Sequence, residues 1–361
     1  MKNTSLYVHI PFCTRKCLFC SFVVAIGQEH RRDDYVQALV TEAQHYKGTH
    51  VQTIYLGGGT PSLLSEAQLN LLMDEFRRCF VIAPDAQISI EANPEGITLL
   101  KARCLKNLGF NRVSLGIQSM DERYLKFLGR IHDTVKALQA YHTLREAGFH
   151  NINLDLMYAF PGQTVDELQD DVHTIASLGS EHLSLYTLTI EPHSRFYATQ
   201  MKLDDEAKIA AQYSLIADLL PDYGFNQYEV SNFAKPGFES LHNMNYWLGG
   251  SYIGLGVGAH GYMDGRRYWN ADKLQIYLDG IISKGRAVEG YEDLTEETRV
   301  MEKVLFGLRM NKGINWDLLP VSKHNQVRDL IQAGFLSLEN SVLKATNKGR
   351  LVLDEISARL I

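Results

Sequence analysis

The stretch YVHIPFCTRKCLFCSF, residues 7–22, joins a short β-branched and apolar run to three cysteines at the spacing C-x3-C-x2-C. Cys13, Cys17 and Cys20 fall within eight positions of a chain that holds only five cysteines in all. An odd total with one tight cluster is not a disulfide framework; it is the pattern of a metal-binding loop in a reducing compartment. Three thiolates can hold three irons of a cubane cluster and leave the fourth iron open to an outside ligand. On the residues alone, a zinc site completed by a histidine stays open as the alternative.

Outward from the cysteines, the run that precedes them is the first of six. LYVHI (6–10), VQTIYLG (51–57), QISIEA (87–92), RVSLGI (112–117), INLDLMY (152–158) and HLSLYTL (182–188) each read as a buried strand. Stretches with helical spacing lie between them, such as the one after Ser65, where Leu69, Leu72, Met73 and Phe76 share a face and Ser65 can cap. Six repeats of strand then helix predict an α/β fold on a parallel sheet. Periodicity does not decide whether that sheet is open or curled into a barrel, but either form places chemistry at the carboxyl ends of the strands. The unusual residues fall there: the cysteines follow the first run, and GGGTP, Gly57 to Pro61, follows the second.

Composition narrows the partners. With 361 residues and 45% hydrophobic content the chain can build a large domain plus a small one. Its 36 Lys and Arg against 42 Asp and Glu give a formal charge of −6, which argues against nucleic acid or anionic lipid as a general partner. The opening MKNTSLYVHI has no apolar h-region, and no run reaches membrane-spanning length. A cytoplasmic protein is therefore expected, with no transmembrane segment and with peripheral membrane contact left open. Cys79 and Cys104 sit inside helical patterns without partners at metal spacing and read as core thiols.

YVHIPFCTRKCLFCSF, YLGGGTPSLL, ISIEANPE, RVSLGIQSM, LGRIH and INLDLMYAFPGQT, in that order over about half the chain, resemble the radical S-adenosylmethionine (SAM) superfamily, in the branch of oxygen-independent coproporphyrinogen III oxidase and its relatives. The resemblance implies a partial (β/α)6 radical-SAM barrel. It implies that Cys13, Cys17 and Cys20 ligate a [4Fe-4S] cluster whose open iron takes the amino and carboxyl groups of SAM. Tyr7 and Phe19 would line the SAM site, Gly58, Gly59 and Thr60 would bind its amino group, and Glu91 would reach its ribose or amino end. Gln118, Arg130 and Asp155 match positions that contact a second SAM in the oxidase; an Arg130–Asp155 ion pair at the barrel mouth is the alternative reading.

A second region, SLHNMNYWLGGSYIGLGVGAHGY (240–262), crowds His242, Asn243, Tyr246 and Trp247 into six residues. Imidazole can ligate haem iron and aromatic rings can cover a porphyrin face. H-N-x-x-Y-W is similar to the haem motif of the radical-SAM haem chaperones, which implies haem contact by His242, Tyr246 and Trp247. Phe22 stands where the oxidase carries a further cysteine, and the first strand begins at about Leu6, without room for the oxidase's additional N-terminal segment; both departures favour the chaperones.

The remainder divides as residues 1–230 for the barrel, 231–290 for a connection bearing the haem motif, and 291–361 for a small C-terminal unit. In that unit a helix capped by Thr295, a helix ending at Gly334, a hairpin turning at Asn340 and a last helix resemble a winged-helix-like domain. Few basic residues cluster there, so a lid or docking role is expected rather than DNA binding. The function expected is a haem chaperone holding haem, the cluster and SAM and passing haem to acceptor haem proteins. Oxidative decarboxylation of coproporphyrinogen III is the alternative, and opening or methylation of haem a third.

Overall fold

The structure, a computed structural model, describes residues 4–360. Six strands, β1 (Thr4–Ile10), β2 (His50–Gly58), β3 (Val81–Ala92), β4 (Arg112–Gln118), β5 (Ile152–Tyr158) and β6 (His182–Thr187), run parallel in the spatial order 1-2-3-4-5-6. A doubly wound sheet reverses its strand order at a switch point. This one never reverses, so its crossovers can stack on a single face and the sheet curls around the other. β1 and β6 do not pair with each other, which leaves the barrel partial.

The two faces of each strand divide sharply. Leu6, Val8 and Ile10 on β1, Ile54 and Leu56 on β2, and Val113, Leu115 and Ile117 on β4 are wholly buried in one apolar core with Leu39, Leu69, Leu72 and Phe76 of the outer helices. The alternate residues are polar and bond to one another across the concave face: Thr53 to Ser5, Tyr55 to Glu91, Ser114 to Asp155 and His182 to Asn153. Period-two alternation thus builds a dry outer layer and a hydrogen-bonded lumen from the same strands. The outer helices start where the sequence places caps. Ser65 and Gln68 form a capping box on the helix Glu66–Cys79, and Thr164 and Glu167 another on Val165–Ser177, each cap contributing about 1 kcal/mol.

The strands between Asn226 and Asp293 widen the sheet at both edges. β7 (Asn226–Gln227) and β8 (Asn232–Ala234) add antiparallel beside β6. β9 (Tyr252–Leu255) joins β1 in parallel, and β10 (His260–Met263), β11 (Arg266–Asn270) and β12 (Val288–Asp293) continue antiparallel from it. The edges of the barrel sheet are therefore covered by the chain itself.

The C-terminal unit has its own core, with Val304, Leu308, Val327, Leu330, Leu336, Leu343, Leu353 and Ile356 closely buried. Its helices Glu296–Leu308 and His324–Gln332 precede a hairpin of β14 (Leu336–Glu339) and β15 (Val342–Ala345), completed by the short β13 (Ile314–Asn315), which pairs with β15. Asn340 and Ser341 both take positive φ, the two-residue turn that matches strand twist. The last helical stretch is broken into Asn347–Arg350 and Leu353–Leu360.

Candidate functional site

The cysteines occupy the loop that leaves β1, and backbone bonds pin that loop on several sides. Ala25 N–H donates to Pro11 O, Thr60 N–H to Phe12 O, Leu18 N–H to Leu128 O, and Phe196 N–H to Leu18 O. Phe19 packs with Leu18 beside Tyr124, Leu128 and Phe160 and anchors the loop from below. All five cysteines are free thiols. Cys79 and Cys104 are buried within their helices, as the pattern predicts.

The glycines of GGGTP are demanded by space. A Cβ on Gly59 would lie 2.8 Å from the Pro11 and Phe12 backbone, and one on Gly58, at φ +113°, would strike the His9 ring at 2.6 Å. The Gly57–Thr60 turn therefore packs directly against the cysteine loop. Thr60 Oγ1 lies 3.5 Å from Cys13 Sγ and accepts from Asn93 Nδ2 at 3.1 Å. Asn93 Oδ1 in turn accepts from Arg130 Nη2 at 2.9 Å, and Arg130 Nη1 reaches Cys17 Sγ at 3.3 Å. A guanidinium against Cys17 and a hydroxyl against Cys13 would both stabilise negative charge on sulfur. Burial pushes the Cys13 thiol up to about 11, so it stays protonated unless a positive charge is brought beside the sulfur. Among the described residues no three His, Cys, Asp or Glu side chains are gathered for a single ion. The donor set, three thiols on one braced loop, fits a cluster.

Glu91, at the end of β3, accepts from Tyr55 Oη at 2.9 Å and from Gly58 N–H at 3.0 Å, and burial raises its carboxyl to about 7. Tyr7 donates to His9 Nδ1 at 3.0 Å, while His9 Nε2–H donates to Val23 O at 2.8 Å. Tyr7, His9 and Glu91 thus converge on the Gly57–Gly58 backbone, in the turn that carries Thr60 against the cysteine loop.

Arg130 and Asp155 do not pair with each other: Arg130 is spent on Asn93, Gly116 O and Cys17. Asp155 accepts from Ser114 at 3.1 Å and Asn153 at 2.7 Å, with its carboxyl raised by burial. Gln118 adopts φ +75° where β4 shifts register against β5. Such backbone in a non-glycine residue costs on the order of 1 kcal/mol and tends to cluster at functional sites.

His242 sits on the helix Leu241–Trp247, which covers the lumen near the amino ends of β1 and β2. The ring is 1% exposed and stacks on Tyr55 at 5.0 Å. Thr53 donates its hydroxyl to Ser5 and so accepts from His242 Nδ1–H at 2.7 Å; Nε2 is left as an acceptor, taken by Tyr246 Oη at 2.9 Å. Burial, helped by the charge of Arg112, holds the imidazole down to about 3, so it is neutral. The one-turn spacing of His242 and Tyr246 creates this bond. In this arrangement both ring nitrogens are engaged. Trp247 points away toward Phe306, with ring centroids 6.1 Å apart and Arg309 stacked on it at 5.1 Å.

Sequence reasoning missed several participants. Asn93 links Thr60 to Arg130 and could have been suspected from its place directly after a strand. Arg112 is 2% exposed in the lumen wall, its Nε is buried without a hydrogen-bond partner among the described residues, and its charge acts on both Asp155 and His242. Its position within a strand gave no signal.

Residues 7–175 match the Radical SAM superfamily and residues 294–352 the HemN C-terminal domain. A "Heme chaperone HemW" of Bacillus subtilis is 35% identical over 372 residues, covering 98% of this chain and 97% of that protein. The chain belongs to the HemW family. The HemW protein of Escherichia coli is 41% identical over 270 residues, 73% of this chain and 71% of its own. Among solved structures, coproporphyrinogen III oxidase (HemN) from Escherichia coli, described as a radical SAM enzyme, superposes with a TM-score of 0.87 at 27% identity over 99% of this chain and 89% of that one. Membership of the HemW family implies a [4Fe-4S] cluster and SAM, and the likeness to HemN fixes the radical-SAM fold. No helix among the described residues is long and apolar enough to cross a membrane.

Proposed function

We propose that this protein is a cytoplasmic haem chaperone that binds haem through His242, Tyr246 and Trp247 and delivers it to acceptor haem proteins. The observation that carries the reading is the tautomer of His242. The imidazole is neutral, with its proton fixed on Nδ1 by Thr53 and its Nε2 lone pair directed at a hydroxyl that can leave. A metal-ligating histidine has this form, with its second nitrogen held by a hydrogen bond.

Cys13, Cys17 and Cys20 would hold the cluster; Tyr7, Phe19, Gly58, Gly59, Thr60 and Glu91 would hold SAM; and Gln118, Arg130 and Asp155 would border the same space. When bound, that pair supplies an open iron and a sulfonium able to accept an electron from it. The chain's own part is to brace the thiol loop with the Gly57–Thr60 turn, to place Arg130 beside Cys17, and to present Glu91 to a cationic ligand. The barrel of residues 1–230 would carry the cluster, residues 231–290 the haem motif and residues 291–361 the lid.

The likeness to the oxidase favours a second reading, decarboxylation of coproporphyrinogen III, with Gln118, Arg130 and Asp155 at a second SAM. Anaerobic incubation of the cluster-loaded protein with SAM, a low-potential reductant and coproporphyrinogen III, beside an active oxidase, separates the two. The chaperone reading expects no protoporphyrinogen; product at a catalytic rate would replace it with the oxidase.

A further inference from the structure

Two cavities flank the helix Leu241–Trp247. One, of about 260 Å3, opens between that helix and the helix Glu296–Leu308 of the C-terminal unit, walled by Tyr246, Trp247, Tyr252 and Phe306. The other lies on the cysteine-loop side, where Tyr7, His9 and Phe22 face it. Tyr246 and Tyr252 line both and form the partition, their rings edge to face at 4.6 Å.

The first cavity combines an aromatic wall with positive charge at its rim. Arg299 and Lys303 stand there on one face of their helix, four residues apart, together with Arg267. The carboxylate in the lining, Glu302, is already bound to Arg267 at 2.7 Å, and Arg299 is paired with the exposed Glu296 one turn earlier. Lys303 is exposed and, among the described residues, has no ion-pair partner. Trp247 Nε1 is enclosed without an acceptor. An aromatic slot with a spare lysine at its mouth, beside an arginine whose only ion-pair partner among the described residues is an exposed glutamate, suits a flat apolar ligand that carries carboxylates on one edge.

We propose that this cavity seats the tetrapyrrole, with its propionates on Lys303 and Arg299, and that Tyr246 is a latch which must release His242 before the iron can bind. The proposal rests on the haem reading above and adds the seat, the anchoring charges and the gate. A porphyrin exceeds the volume present, so its entry must displace a wall residue. Tyr246 is the wall residue whose hydroxyl covers His242 Nε2. One side-chain movement therefore enlarges the cavity, frees the ligand nitrogen and opens the partition toward the cysteine loop.

The test uses the full-length, cluster-loaded protein with two probes, ferric haem and metal-free protoporphyrin IX, the second having no iron to ligate. Lys303→Glu combined with Arg299→Glu, both at the solvent edge, should weaken both probes by about tenfold and leave the binding of protoporphyrin dimethyl ester unchanged. Wild-type affinity of the double variant for the free acid would overturn the seat. Tyr246→Phe keeps the ring and removes the latch bond, so haem affinity should rise by about fivefold; unchanged or weaker binding would overturn the gate. His242→Ala should weaken haem and spare protoporphyrin. Loss of neither would sink the haem-ligand reading while leaving the seat to be judged on the charge variants.

Discussion

The cysteine loop and the His242 helix carry the two motifs of this chain, yet the fold presents them in opposite states. Cys17 and Cys20 stand partly exposed on a loop held by backbone bonds, with Arg130 and Thr60 already placed against the sulfurs. His242 is buried, and both its nitrogens are occupied. The first arrangement suits a resident group that, once assembled, stays. On the proposed reading the second suits a cargo, because the hydrogen bond to Tyr246 would compete with the metal and offer the ring a partner when the cargo leaves. A ligand site built for delivery needs such an exit state, since binding without a competitor would only tighten retention.

The contrast can be broken from either side. Replacing Cys13, Cys17 or Cys20 by Ala should have the largest effect, abolishing the reconstituted cluster as measured by iron and sulfide per chain; a full complement in any variant would remove that cysteine from the ligand set. Beside both regions, Glu42 on the helix Arg32–Ala43 fastens that helix to the widened sheet edge, accepting from Gly256 N–H, Asn270 and Tyr277. Burial raises its carboxyl to about 7. An acid raised in the fold gives its full stability below its ordinary value near 4.5 and loses it as pH climbs through 7. Glu42 should therefore cost the wild type about 3 kcal/mol between about pH 5 and about pH 8. Urea midpoints of Glu42→Gln at the two pH values should differ by correspondingly less; an equal difference in both proteins would contradict the assignment.

Smaller effects sharpen the same comparison. Gly59→Ala drives a Cβ into the Pro11 and Phe12 backbone and should shift the thiol loop at a cost of about 1–3 kcal/mol, read as weaker SAM binding by equilibrium dialysis; wild-type affinity would mean that the turn does not set the site. Thr53→Val removes the acceptor of Nδ1–H and should lower haem affinity by about tenfold, with cluster content unchanged. No change in haem affinity would show that the Nδ1 bond does not prepare the ligand.

The six barrel strands were legible because each has one face in the apolar core, so apolar residues recur at period two and the strand ends display the motif residues. β3 begins earlier than expected, at Val81, because His50 and Val51 of β2 pair with Val81 and Ile82 across a register shift. The edge strands β7 to β12 were not read. Val288–Asp293 is almost entirely exposed, and a strand that buries nothing has no hydrophobic pattern to betray it. They form because neighbouring edges offer unpaired backbone groups. Residues 231–290 thereby extend the barrel sheet rather than merely linking two units.

The site divides along the same line. Cys13, Cys17, Cys20, Gly58, Gly59, Thr60 and Glu91 were legible since they follow strands in one order, and the structure gathers them at one end of the lumen. The bridge from Thr60 through Asn93 to Arg130 was not, because it joins residues from two strand ends and from the turn after the helix Glu122–Leu128. The occupied state of His242 was equally hidden: Thr53 lies 189 positions away in the chain, and only the fold brings it to the imidazole.

The central claim is that His242 Nε2 takes the haem iron after Tyr246 releases it. The most direct measurement is magnetic circular dichroism of ferric haem bound to the cluster-loaded wild type and to His242→Ala. The account predicts a nitrogen-ligated haem in the wild type that loses this ligand in the variant. The same nitrogen-ligated spectrum in both proteins would contradict it.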